Sequence, residues 1–139
     1  MMRRFFKYLA LSLPLLAGTV GAQDSYPSKP ITIILPFGAG SGTDAIVRTF
    51  SEKMARNLKQ PVVIDNRPSA GGIVAGEAVA RAEPDGHTLL LMSNGTAVSA
   101  GLFKSLPFNP RTDFAPVSLL GLFDMAVVVP ESSPFKTLS

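Results

Sequence analysis

The chain has 139 residues, 46% of them hydrophobic and 17% charged, a composition that suits one small globular unit and excludes a disordered acidic tail or a coiled coil. With no cysteine, no tryptophan and a single histidine, it has no disulfide framework, no thiolate metal site and no cysteine nucleophile. Its formal charge of +3 suggests a polyanionic partner, but three of the 13 basic residues, Arg3, Arg4 and Lys7, crowd the extreme N-terminus.

That basic run is followed by the apolar stretch from Tyr8 to Ala17 and by the small residues Gly18 to Ala22, the three-part pattern of a secretory signal. Val20 and Ala22 leave the room a signal peptidase needs, which places the cleavage after Ala22. The apolar stretch is about half of the roughly 20 residues that span a bilayer, and Pro14 interrupts it, so residues 1–22 read as a removed signal rather than an anchor. Without them the basic and acidic side chains are equal in number. A neutral surface offers no footprint for nucleic acid, and no later apolar run reaches membrane length, so the expectation is an exported chain that neither spans a membrane nor binds DNA or RNA.

Gln23 to Pro30 is polar and reads as an extended lead-in. Ile31 to Phe37 is a near-continuous β-branched run, the pattern of a strand buried on both faces of a parallel sheet. It stops at Gly38-Ala39-Gly40-Ser41-Gly42. Thr43 or Asp44 then caps a helix from Asp44 to about Leu58, with Ile46, Val47, Phe50, Met54 and Leu58 at helical spacing. Pro61 to Asp65 is a second strand. Asn66-Arg67-Pro68-Ser69-Ala70-Gly71-Gly72 is a second glycine loop, and a helix follows from Ile73 to Ala82 with Val74, Ala78 and Val79 on its inner face. After a turn at Pro84-Asp85-Gly86, His87 to Met92 is a third strand and Ser93 to Thr96 a third polar loop. Phe114 to Leu122 and Met125 to Val129 read as two further strands, and the last residues as a linker toward a helix capped by Thr137. The alternation of strand and helix with short connections predicts an α/β layer with a mostly parallel sheet.

In such a sheet the loops leaving the carboxyl ends of the strands share one edge, where ligands bind. Glycine lets backbone approach a ligand closely, and amides ahead of a helix form a concavity for an anion. The predicted ligand group is a carboxylate or similar oxyanion, with Ser41, Thr43, Ser69, Ser93, Asn94 and Thr96 available to orient it. Catalytic patterns fit poorly. The first loop places Thr43 where a dinucleotide fingerprint needs its third glycine, lacks the lysine of a phosphate-binding loop, and surrounds Ser41 with glycines at the wrong spacing for a nucleophile elbow. His87 opens the third strand, a strand's length from those loops, and reads as a solvent-facing turn residue. Asp44, Glu77, Asp65 and Asp85 show no metal-ligand spacing. Arg67 either meets ligand charge or pairs with Asp65.

Several ordered motifs carry a family resemblance: Tyr26-Pro27-Ser28-Lys29-Pro30-Ile31, Pro36-Phe37 with a glycine loop and Asp44, Asn66-Arg67-Pro68-Ser69-Ala70-Gly71-Gly72, Ala80 to Gly86, Ser93-Asn94-Gly95-Thr96 and Asp113 to Val117. Together they resemble the Bug-type receptors, the periplasmic solute-binding proteins of tripartite tricarboxylate transporters. The resemblance implies a type II periplasmic-binding-protein-like α/β fold, with residues 23–130 forming part of the N-terminal ligand-binding domain. Residues 131–139 become a linker toward a second domain that lies beyond Ser139. It implies a periplasmic, non-enzymatic receptor that needs no cofactor or metal, captures a small carboxylate and delivers it to membrane permease subunits. Carried onto this sequence, the ligand is held by Phe37, Ala39, Gly40, Ser41, Gly42 and Asp44 of the first loop. Ala70, Gly71 and Gly72 of the second follow, with Asn94 and Thr96 of the third. The family's Pro-Gly-Gly is replaced here by Ala39-Gly40-Ser41-Gly42. The alternatives are an exported hydrolase with its catalytic residues beyond this sequence, or a nonfunctional remnant.

Overall fold

A computed structural model describes residues 25–124, 126–135 and 137; the secretory signal and cleavage point expected from the sequence lie outside the described residues. Strand β1, Ile31–Leu35, pairs in parallel with β2, Val62–Asn66, on one side and with β3, Thr88–Leu90, on the other, giving the order β2-β1-β3. The register runs from Ile31 opposite Val62 to Leu35 opposite Asn66, and from Thr32 opposite Thr88 to Ile34 opposite Leu90. The parallel α/β sheet expected from the sequence is therefore present.

As the central strand, β1 is covered on both faces, which is why its sequence shows no polar alternation. Ile33 and Leu35 point to the face covered by helix α1, Gly42–Leu58, and meet Val47, with Phe50, Val62, Ile64, Leu89 and Leu91 packed around them. Ile34 points the other way and is equally buried. That second face belongs to helix α2, Ile73–Ala80, which contacts β1 and β3. Its buried positions are Ala75 and Gly76, whereas Val74, expected on the inner face, is exposed. Small residues win because the Phe108 ring lies against Gly76, where a Cβ would come within 2.5 Å of it. Ile46 of α1 is likewise exposed, leaving Val47 as that helix's fully buried apolar anchor.

Other boundaries move for identifiable reasons. β1 ends at Leu35, one residue before Pro36, which has no N–H for the ladder. Helix α1 begins at Gly42 because Ser41, not Thr43 or Asp44, is its N-cap, its Oγ accepting the Asp44 N–H at 3.2 Å. The residues Ser93 to Thr96, expected as a loop, contribute only the cap Ser93; Asn94 opens helix α3, Asn94–Leu102. Their turn-like composition is overridden by packing, since Thr96 and Ser99 are both 1% exposed.

The two strands expected at Phe114–Leu122 and Met125–Val129 do not form among the described residues, and Met125 lies outside them. Val117, Leu122, Phe123, Val127 and Val128 are exposed. A β-branched run becomes a strand only where a neighbouring strand takes its backbone hydrogen bonds, and no described strand does so here.

His87 is also placed differently from the expectation: it is 7% exposed. The lead-in folds back over it, with the Tyr26 ring 4.9 Å away and the Tyr26 hydroxyl donating to the Gly86 carbonyl at 2.7 Å. Lys29 fixes the same turn through Asp85, Nζ to Oδ2 at 2.7 Å. His87 Nδ1 is 3.3 Å from Asp85 Oδ1 but outside hydrogen-bond geometry, and both ring nitrogens are buried without a hydrogen-bond partner.

Candidate functional site

The chain leaves β1 for α1 on one face and leaves the adjacent β3 for α3 on the other, where α3 packs on α2. Neighbouring parallel strands whose exits diverge open a crevice at their carboxyl ends, the usual place for a ligand in open α/β sheets. All three loops singled out in the sequence meet at this edge. His87 does not: its carbonyl accepts the Thr32 N–H at 2.7 Å at the opposite end of β3. Ser41 therefore has no imidazole near it.

The first loop, residues 36–41, is held in shape from within. Asp44, 3% exposed, accepts the Gly40 N–H on Oδ2 at 2.9 Å and the Arg48 Nε–H on the same oxygen at 2.9 Å. Its Oδ1 accepts from Asn66 Nδ2, also at 2.9 Å. Asn66 gives its other amide hydrogen to the Phe37 carbonyl at 3.0 Å, and its Oδ1 accepts from Arg48 Nη2 at 3.1 Å. Asp44, Arg48 and Asn66 thus form a closed ring that ties loop, helix and the end of β2 together. The arrangement is a capping box shifted outward by one residue, the acid three positions past the cap reaching back to the amide before the cap. The Arg48 guanidinium, the Gly40 amide and the Asn66 side chain hold the Asp44 carboxyl well below the usual carboxylate range.

With the Asp44 and Ala45 amides taken by Ser41, the N–H groups of Gly42 and Thr43 are left without an intrahelical partner at the start of α1. The surrounding glycines are uncrowded: a Cβ at Gly38, Gly40 or Gly42 would meet nothing within 4 Å. Gly38, Ala39, Gly40 and Gly42 are exposed, and Phe37 and Ser41 are half-buried at the base. Gly40 takes φ +82°, a conformation that suits glycine.

The second loop is built the other way. Ala70–Gly72 forms a single 3-10 turn with Gly71 and Gly72 at φ +61° and +72°. A Cβ at Gly71 would fall on Ser99 Oγ, and one at Gly72 would lie 3.0 Å from Pro36 Cβ and 3.3 Å from Thr96 Oγ1. Ser99 Oγ donates between the carbonyls of Gly95, at 2.8 Å, and Gly71, at 3.2 Å. These glycines bring the second loop against β1 and α3. Thr96 is buried behind Gly72, whereas Ala70 and Asn94 are exposed, Asn94 Oδ1 accepting the Gly95 N–H at 3.0 Å. Arg67 pairs with Asp65, its Nη2 and Nε at 2.8 and 2.9 Å from one carboxylate oxygen. Sequence reading missed Arg48, Ser99 and the amide of Asn66. The four-residue spacing of Asp44 and Arg48 on one helix face was the available signal for the first.

Among the described residues no cluster of three His, Cys, Asp or Glu side chains is placed to hold a metal, and no helix is long and apolar enough to cross a membrane.

The profile of the tripartite tricarboxylate transporter family receptor, TctC, matches residues 46–139. The chain belongs to this family. Its members are periplasmic solute-binding receptors, as the resemblance implied. A UPF0065 protein from the tcbD-tcbE intergenic region of a Pseudomonas species is 37% identical over 137 residues, covering 99% of this chain and 41% of the relative. Among solved structures, MatC from Rhodopseudomonas palustris with bound malate is 42% identical with a TM-score of 0.64, covering 68% of this chain and 33% of MatC. A second R. palustris protein, solved with adipate, is 28% identical with a TM-score of 0.58, over 63% of this chain and 29% of its own. The chain spans about 40% of the length of that Pseudomonas relative, and its α/β fold corresponds to the N-terminal subdomain of the binding-protein fold.

Proposed function

We propose that residues 23–130 are the N-terminal ligand-binding part of a periplasmic receptor that captures a small dicarboxylate and presents it to the permease subunits of a tripartite transporter, without transforming it. The observation that carries this reading is the open backbone of the first loop at the crevice edge, with the Gly42 and Thr43 amides uncommitted at a helix N-terminus. One ligand carboxylate rests against that loop, contacted by Phe37, Ala39, Gly40, Ser41 and Gly42 through main chain and bridging water. Asp44 acts from behind by fixing Gly40. Ala70 and Asn94 edge the same crevice from the second and third loops, while Gly71, Gly72 and Thr96 set its depth. Malate in one solved relative and adipate in another support a ligand with two carboxylates. Cleavage after Ala22 and a linker at residues 131–139 complete the proposed organisation, the second carboxylate being met by a domain that closes over the crevice.

Calorimetric titration of the full-length receptor with malate, adipate and citrate tests the reading. Saturable one-site binding of at least one of them is expected. Absence of heat from all three, with ester hydrolysis by the same preparation, would replace it with the hydrolase alternative.

A further inference from the structure

We propose that Arg48 is a charge-compensating positioning residue: paired with the buried Asp44, it cancels a negative charge that would otherwise repel an anionic ligand from the first loop. The inference rests on the carboxylate reading above and assigns a role to a residue that is not among the proposed ligand contacts.

The loop contains an apparent contradiction. An anion is expected at the start of α1, yet a carboxylate that is 3% exposed is already built into that first turn, one hydrogen bond from the Gly40 amide. A helix N-terminus presents about half a positive charge. An ionised Asp44 alone turns that into about half a negative charge, and Arg48 restores the favourable sign. Asp44 cannot simply be absent, because its two oxygens hold Gly40 and Asn66 in place. Arg48 therefore removes the electrostatic cost of a structural necessity. Its geometry serves that purpose: Nε meets Asp44 and Nη2 meets Asn66, so the guanidinium is anchored at two points, one of them the Asp44 oxygen that also accepts the Gly40 N–H. Among the described residues no other neighbour supplies the charge. Asn66 and the Phe37 carbonyl are neutral, and Arg67 is occupied by Asp65 through two nitrogens.

The test exploits sign. In the full-length receptor, Arg48→Gln is expected to weaken malate binding about tenfold, because a like charge within several ångströms is only partly shielded at a protein surface. Asp44→Asn alone removes a charge but also one of the two oxygens that hold Gly40 and Asn66, and is expected to weaken binding about threefold. The double variant binds malate about threefold more tightly than Arg48→Gln alone because it discards the uncompensated charge, Arg48→Lys recovers most of the loss seen with Gln, and the loss in Arg48→Gln shrinks as salt is raised. A pair with a purely structural role leaves the double variant no better than Arg48→Gln and the loss insensitive to salt, and that outcome overturns the proposal, as does wild-type affinity in Arg48→Gln. Thermal unfolding of each variant identifies any that has lost its fold; if the double variant has, Arg48→Lys and the salt dependence of Arg48→Gln decide the matter by themselves. If the wild-type receptor binds neither malate nor adipate, the reading of function fails before Arg48 is in question.

Discussion

In the first glycine loop a Cβ added at Gly38, Gly40 or Gly42 meets nothing within 4 Å, whereas in the second a Cβ at Gly71 lands on Ser99 Oγ and one at Gly72 presses on Pro36. The first loop is shaped by ions and amides, Asp44, Arg48 and Asn66, and keeps its backbone open. The second is shaped by close packing and a neutral hydroxyl, and gives its glycines to contacts inside the protein. Two strings of glycine with similar surroundings in the sequence thus do different work: one leaves space, the other consumes it.

The sharpest way to break this contrast is Gly71→Ala. A left-handed φ of +61° and overlap with a buried serine should together cost about 2–5 kcal/mol in urea denaturation. A loss below about 1 kcal/mol would mean the second loop is as free as the first.

Acid should separate the loops by a smaller margin. The Asp44 carboxyl is held below its ordinary value, first by Arg48 and then by Gly40 and Asn66, so it binds a proton less readily folded than unfolded. Its contribution is complete above about pH 4 and is lost as the pH falls below that toward the lower folded value. Hydrogen exchange normalised to the intrinsic rate should show protection at the Gly40 amide declining across this range. The Gly72 amide, bonded to the Ser69 carbonyl at 3.1 Å, has no titrating partner and should keep its protection. Equal losses at both amides would point to global unfolding instead.

The smallest structural effect belongs to Gly42→Ala, expected to change stability by no more than about 0.5 kcal/mol because the added methyl meets open space. Malate affinity, measured on the same sample, should nevertheless fall about threefold to tenfold, the scale of one disturbed backbone contact. Unchanged affinity would place the ligand elsewhere along the edge.

These differences mark what could be read from residue order. β1 and α1 were legible because burial on two faces leaves an uninterrupted run at Ile31–Leu35, and one face leaves Val47 and Phe50 at helical spacing. The shared edge followed from parallel connectivity alone. The different use of the two glycine loops did not, since Gly71 carries no mark of Ser99, a residue 28 positions away. Helix α3 was hidden because Ser93-Asn94-Gly95-Thr96 has the composition of a turn, and its helical state depends on packing against the 3-10 turn at Ala70–Gly72. Phe114–Leu122 misled in the opposite direction: strand propensity is a property of residues, but a strand is a property of pairs. Val74 failed for a related reason, the inner face of α2 being chosen by the bulk of Phe108 rather than by hydrophobicity.

His87 has one more consequence. It is the sole imidazole in the sequence, tilted against the Tyr26 ring with centroids 4.9 Å apart and shut away from water. Its carbon-bound protons give a lone, assignment-free pair of NMR lines, displaced by the aromatic ring current for as long as the lead-in stays seated. Nature has left a built-in spectroscopic gauge at the end of the sheet remote from the crevice, where it registers the integrity of the scaffold without disturbing the ligand.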